Sequence, residues 1–177
     1  KENKKKFIEK KKSLTKSFKS WITKKKSTEE KHYKTVAQLP QSDFYFTGVD
    51  GNGNTFIGYL NGNKNEKNIK VNGKSTLKIS DGKAFQDDGK TQCDVRSEIL
   101  KADKDIFRGD VIVKCPNKEF IGSWTQTGSQ GFGIATSEKI RLDFSFSKNR
   151  NDIYTTLNKN KKNKKLVKKD KQSEEIK

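Results

Sequence analysis

The apolar positions of the chain follow two different periods. Between residues 5 and 26 they are Phe7, Ile8, Leu14, Phe18, Trp21 and Ile22. At about 100° per residue all six fall within an arc of about 140°, the stripe of an amphipathic helix. Lys5, Lys12, Lys16 and Lys19 lie on the opposite side. Lys11 intrudes on the stripe, where a lysine can carry its charge outward along its stem. Beyond Leu39-Pro40 the period shortens to two. Pro disfavours helix in the residue before it, so the pair marks the boundary.

From there, short runs rich in β-branched and aromatic residues alternate with turn signals. Candidate strands are 44–49, 55–60, 68–71, 75–80, 91–100, 107–115, 119–125, 131–136 and 139–147. Between them stand Asp50-Gly51-Asn52-Gly53, Asn61-Gly62, Asn72-Gly73, Asp81-Gly82 and Asp88-Gly89, dipeptides suited to the φ > 0 positions of tight hairpins. Cys93, Val95, Ser97 and Ile99 share one face of their strand, and Ile140, Leu142, Phe144 and Phe146 share one face of another. The expected fold is mainly β: an antiparallel meander forming a curved sheet or small barrel, with an N-terminal amphipathic helix and a disordered basic C-terminal tail. Thr55-Phe56-Ile57-Gly58-Tyr59 and Glu119-Phe120-Ile121-Gly122-Ser123 echo each other at an offset of 64 residues, which suggests a duplicated half-sheet.

Charge sharpens this division. The chain has 177 residues and a formal charge of +18. Residues 1–34 hold 14 Lys against 4 Glu, a net +10. Residues 148–177 hold 11 Lys and Arg against 4 Asp and Glu, a net +7, which leaves +1 for residues 35–147. A nearly neutral body at 40–147 therefore carries two basic ends, 1–34 and 148–177. Only 29% of residues are apolar, well below the ~45–50% of a typical globular domain, so part of the chain is expected to lie outside the compact body. The run 158–165 has no apolar side chain to bury, and low hydrophobicity with high charge predicts disorder there. No apolar run approaches the ~18 residues of a transmembrane helix. The N-terminal segment lacks the unbroken apolar core of a signal peptide, and the chain contains no Met, so its start reads as trimmed.

Phe120-Ile121-Gly122-Ser123-Trp124, then Gly128, then Gly131-Phe132-Gly133, resembles one MORN repeat, in which aromatic-x-Gly-x-Trp precedes Gly-x-Gly on a β-hairpin. Phe107-Arg108-Gly109 and Phe56-Ile57-Gly58 match its first three positions. The order of Cys strand, Cys turn, Phe-x-Gly-x-Trp and Gly-x-Gly is also similar to small exported bacterial β domains. Both resemblances imply a hairpin sheet, and neither implies catalysis. The MORN resemblance implies a scaffold or lipid-surface role.

Residue chemistry points away from an enzyme. His32, the one histidine, lies in the basic segment and reads as an exposed residue, far from any rigidly held nucleophile. Asp50-Gly51-Asn52-Gly53-Asn54 starts like an EF-hand loop but lacks its sixth-position Gly and twelfth-position Glu, so it reads as a turn. Two cysteines without a nearby histidine make no structural zinc site, and neither metal nor cofactor is expected. Cys93 and Cys115 stand on consecutive strands. A hairpin tip at 101–106 places Cys115 across from about residue 92, which makes the two cysteines cross-strand neighbours within disulfide range. A bridge would imply an oxidising, exported compartment; the alternative is two thiols in a reducing one.

A basic amphipathic helix has three uses: lying in a membrane interface, binding a grooved partner protein, or packing on its own body. The first suggests insertion by Phe7, Phe18, Trp21 and Ile22, with charge from Lys5, Lys12, Lys16 and Lys19. The sequence thus reads as a non-catalytic binding or scaffold module. It would sit on an anionic surface, lipid or an acidic partner, while its β domain docks a protein. The alternative is a nucleic-acid-associated protein whose basic extensions contact phosphates.

Overall fold

The computed structural model describes residues 2–23, 31–71 and 73–176, with side chains described except at 2, 3, 17, 20, 22, 23 and 164–176. The elements run α1 (Glu2–Lys12), α2 (Lys16–Thr23), a 3₁₀ turn (Val36–Gln38), β1 (Phe44–Asp50), β2 (Thr55–Gly62), β3 (Asn68–Val71), β4 (Lys74–Leu77) and β5 (Ile79–Gln86). Then follow β6 (Gln92–Asp103), β7 (Ile106–Lys114), β8 (Glu119–Thr127), β9 (Gln130–Thr136), β10 (Arg141–Ser147) and α3 (Arg150–Ile176).

Eight strands close into an antiparallel barrel in the order β1-β2-β5-β6-β7-β8-β9-β10, with β10 returning to β1. The hairpin β3–β4 stands apart as a two-stranded sheet inserted between β2 and β5. The expected meander is therefore a closed barrel, whose eight strands are each paired on both sides. Where one strand was expected at 75–80, the chain makes two. β4 ends at Leu77, and β5 runs through Asp81-Gly82, which is strand interior and not a turn. Gly82 pairs with Leu60 on one side and Val95 on the other. A Cβ at residue 82 would collide with the Tyr59 carbonyl, so Gly is selected there by close approach, not by φ. Asn61-Gly62 likewise belongs to β2, opposite Ser80 and Asp81. Gly73, between β3 and β4, and Gly89, between β5 and β6, do take φ of +80° and +74°, the left-handed values for which Gly suits a turn. Asn72 lies outside the described residues. The turn after β1 is built on Asp50, whose Oδ1 accepts the backbone N–H of Asn52 and of Asn54, each at 2.9 Å.

The helix expected over 5–26 is two helices. Ser13 donates its hydroxyl to the Lys10 carbonyl at 2.9 Å as α1 ends. Thr15 restarts the chain, its Oγ1 accepting the Phe18 N–H at 3.4 Å at the head of α2, the place where such hydroxyls cap a helix. Residues 24–26 lie outside the described residues.

The C-terminal segment also departs from expectation. Disorder was expected from residue 148, yet α3 begins at Arg150 and buries Ile153 and Leu157, one turn apart on one face. They pack with Val36, Leu39, Tyr45, Ile57 and Phe85 on the outside of the barrel. The helix start is held by the Asn149 side chain, whose Oδ1 accepts the Asn151 N–H at 3.0 Å, and by Asp152 in the first turn, where a carboxylate complements the helix dipole. Arg150 locks the corner. Its guanidinium donates to the carbonyls of Val36 and Leu39 at 2.7 Å each and to the Tyr45 hydroxyl at 3.1 Å, and it stacks 4.5 Å from the Tyr45 ring centroid. The Leu39 carbonyl, beyond the last bond of the 3₁₀ turn, thus finds a donor.

Candidate functional site: the barrel interior

The inward positions of the eight strands form one apolar cluster that includes Phe46, Phe56, Val95, Val111, Phe120 and Trp124. This packed lining does not fill the barrel. A cavity of about 450 Å³ runs down from the end where β1 begins and β2 ends, within the size range of small-molecule sites.

The cross-strand register explains the open space. Phe46 stands opposite Gly58, Trp124 opposite Gly109, Phe144 opposite Gly133 and Phe146 opposite Gly131. In all four pairs a Cβ on the glycine would strike the facing ring. Each aromatic ring therefore lies down on the bare backbone of its neighbour instead of crossing the barrel axis. Covering a strand glycine with a cross-strand ring protects a weak point of the sheet, and here it clears the middle of the barrel. Phe120-x-Gly-x-Trp124 and Gly131-x-Gly133, the residues of the repeat-like motif, thus occupy the hairpin β8–β9, where the two glycines seat Phe146 and Phe144.

The two ends of the cavity differ. At the base, Phe56 and Phe120 meet edge to face with centroids 6.3 Å apart. Lys118 lies over both rings, at 5.6 and 5.5 Å, and reaches the buried Asp50 carboxylate at 3.6 Å. Cys93 and Cys115 form a disulfide there, as their register implied, with Cα atoms 4.2 Å apart and both residues buried. The other end is the mouth. Its polar residues are Asp43, Thr76, Ser80, Ser97, Gln126 and Lys148. Gln126 is held by a 2.8 Å bond from its Nε2 to the Gly128 carbonyl. Trp124, on the wall, donates its Nε1–H to the Asp110 carbonyl at 3.1 Å and meets Phe146 edge to face.

The residues read from sequence as a membrane-inserting face lie elsewhere and are occupied. Phe7, Phe18 and Trp21 are 7%, 0% and 8% exposed, and with Leu14 they pack on Ile79, Ile112 and Ile121 of the barrel's outer wall. In this docked state they face the barrel wall. Burial of an aromatic side chain gains about 2–3 kcal/mol, and the barrel offers an apolar strip within reach. The side chain of Ile22 lies outside the described residues. Lys5, Lys12, Lys16 and Lys19 are exposed on the outer side of the docked helices. Lys11, the lysine within the apolar stripe, pairs with Glu119 at 3.3 Å.

Polar contacts fix the position of α2. Trp21 stacks on Arg96, 5.4 Å from the guanidinium carbon, and Arg96 holds Asp81 in a two-bond fork at 2.6 and 3.2 Å. Thr15 donates its hydroxyl to the buried Glu98 carboxylate at 2.9 Å, which Lys78 also meets at 3.3 Å. His32, read as exposed, is half-buried, edge-on to Phe85 and with Nε2 3.2 Å from the Gln86 carbonyl.

Directly across from Glu98 stands Asp110. Burial raises its carboxyl above the usual carboxylate range, the Glu98 charge raises it further, and Lys10 offsets part of this. The folded protein therefore holds this proton to a higher pH than the unfolded chain does. The resulting stability is fully present below the ordinary carboxylate pKa and is lost as pH rises through the raised value. Asp110→Asn is accordingly expected to be at least as stable as wild type at pH 7, with the difference closing toward pH 4. Urea midpoints of both proteins across that range check this. A variant markedly weaker at pH 7 contradicts it.

No protein-family model, curated protein or solved structure matches this chain.

Proposed function

We propose that this protein is a non-catalytic binding protein that holds one small ligand with a largely apolar body inside its barrel. The observation that carries the reading is the open-ended cavity of about 450 Å³, walled by aromatic and aliphatic side chains that are already packed against one another. An eight-stranded barrel has an interior wide enough either to be filled by its own side chains or to hold one small ligand. Here the rings seated on glycines favour the second outcome. The disulfide at the base keeps the two central strands in register and supports an oxidising, exported setting.

The test uses the neutral apolar dye N-phenyl-1-naphthylamine and the variant Ser97→Phe. Ser97 faces into the cavity, so a phenyl ring there fills empty space without displacing core. Wild type is expected to bind the dye at one site. Ser97→Phe is expected to lose at least about tenfold in affinity, the worth of roughly 1.4 kcal/mol, at an unchanged or higher melting temperature. Equal binding by both proteins contradicts the reading.

A second reading concerns where the protein sits, and the exposed lysines favour it. With the aromatic stripe turned inward, α1 and α2 still present Lys5, Lys12, Lys16 and Lys19 to solvent. Each basic residue near an anionic leaflet is worth about 1 kcal/mol. We propose that this coat holds the protein to anionic lipid by charge without inserting its rings. The intact protein is expected to sediment with vesicles containing phosphatidylglycerol at low salt, with no blue shift of tryptophan emission, and to release at high salt. Failure to sediment, together with binding to RNA under the same conditions, would favour the phosphate-binding alternative.

A further inference from the structure

Polarity is graded along the cavity. From β2, Phe56 lies at the base, Leu60 higher and Gly62 at the mouth. From β6, Cys93 and Val95 lie deep, Ser97 higher and Ile99 at the rim. From β8, Phe120 lies at the base, Trp124 at mid-height and Gln126 near the top. The lower shaft is therefore apolar, while the hydroxyls of Thr76, Ser80 and Ser97 and the charges of Asp43 and Lys148 line the upper part. Phe56 to Leu60 spans four residues, about 13 Å of strand and about 10 Å of depth once strand tilt is allowed for. A wholly apolar ligand would leave the upper groups facing it unpaired, which costs free energy. A ligand with a polar end at the mouth and a chain below would satisfy both halves.

The two charges at the mouth are not equivalent. The Asp43 carboxylate is engaged by its own strand neighbour, its Oδ2 accepting the Gly62 N–H at 2.9 Å. The Lys148 ammonium lies over the Phe44 ring, 5.6 Å from its centroid, and among the described residues no carboxylate pairs with it. Phe44 is itself part of the cavity wall, so the ammonium is held at the rim by a ring that a ligand chain would also touch. The protein's charge of +18 adds a long-range attraction for anions.

From this arrangement, and resting on the ligand-binding reading above, we infer that the ligand is a single-chain anionic amphiphile of medium chain length. Its carboxylate or phosphate head meets Lys148 at the mouth, and its chain descends between Phe46, Leu60, Val95 and Trp124. Lys148 sets the preference for an anionic head, and the lower shaft takes the chain whatever the head.

The test displaces N-phenyl-1-naphthylamine with decanoate, decyl phosphate and decanol, using the full chain as wild type, Lys148→Ala and Lys148→Glu. Both anions are expected to displace the dye at lower concentration than decanol does from wild type. Lys148→Ala is expected to weaken the anions about fivefold, the upper end for an exposed ion pair, and Lys148→Glu to weaken them more. Decanol and the dye itself are expected to be unchanged in both variants, which shows that the barrel is intact. Comparing the two anions tells a carboxylate ligand from a phosphate one. Decanol binding as tightly as the anions, or anion binding indifferent to Lys148, overturns the inference while leaving a ligand-binding barrel. Absence of dye binding to wild type overturns the ligand-binding reading itself, and this inference with it.

Discussion

Replacing Phe18 with alanine is expected to release the N-terminal helices from the barrel while leaving the barrel folded. Phe18 is fully buried between α2 and the outer wall, in a cluster with Ile112 and Ile121. Truncating a buried phenylalanine costs about 3–5 kcal/mol. Among the described side chains, the other apolar anchors are Phe7 in α1, Leu14 in the link between the helices and Trp21 in α2. Helices of 11 and 8 residues are too short to persist alone in water, so their structure depends on docking. Three observations should move together in Phe18→Ala: protease cleavage within residues 1–23 accelerates, tryptophan emission shifts red as Trp21 leaves Arg96, and the β-sheet circular dichroism stays as in wild type. Unchanged cleavage and emission would mean that the helices are held by something other than this strip. Loss of the sheet signal would mean that the helices are part of the barrel's own core.

Removing the disulfide is expected to have a similar cost but a different signature. The bridge closes a loop with a sequence separation of 22 residues, worth about 3 kcal/mol through restriction of the unfolded chain. For a chain of this length that is a fall of about 6–12 °C in melting temperature. Cys93→Ser with Cys115→Ser should show this loss, and wild type treated with reductant should match it. Because the effect lies largely in the unfolded state, the native spectrum and dye binding should survive below the melting temperature. A fall under about 2 °C would contradict this account. So would loss of dye binding in the folded variant, which would make the bridge a part of the cavity's shape.

The sequence revealed the barrel more fully than the site. Runs of β-branched and aromatic residues between turn signals located nearly every strand, because each strand carries an inward row of large side chains whatever covers its outer face. The strand it missed, Ile79–Gln86, is interrupted in sequence by Asp81-Gly82. That dipeptide has the chemistry of a turn, yet it is required here by the nearness of the Tyr59 carbonyl, a relation between distant residues. The amphipathic stripe from Phe7 to Trp21 was legible, but its target was not, because a membrane and an apolar strip on a barrel demand the same pattern. The first turns of α3 were hidden because only Ile153 and Leu157 carry the packing, in a segment whose composition is otherwise that of a solvated tail. The cavity left no trace in hydropathy, since a filled barrel and a hollow one alternate alike. Its signal lies in the pairing of Phe46, Trp124, Phe144 and Phe146 with glycines across the strands, and such pairs can be read only once the register is known.

The hollow interior can be read residue by residue in methyl NMR of the intact protein titrated with N-phenyl-1-naphthylamine. Shift changes are expected at the inward methyls of Leu60, Val95, Val111 and Leu142, saturating at one dye per chain. Changes confined to exposed methyls such as those of Ile8, Ile106 and Ile134, or none at all, would contradict it.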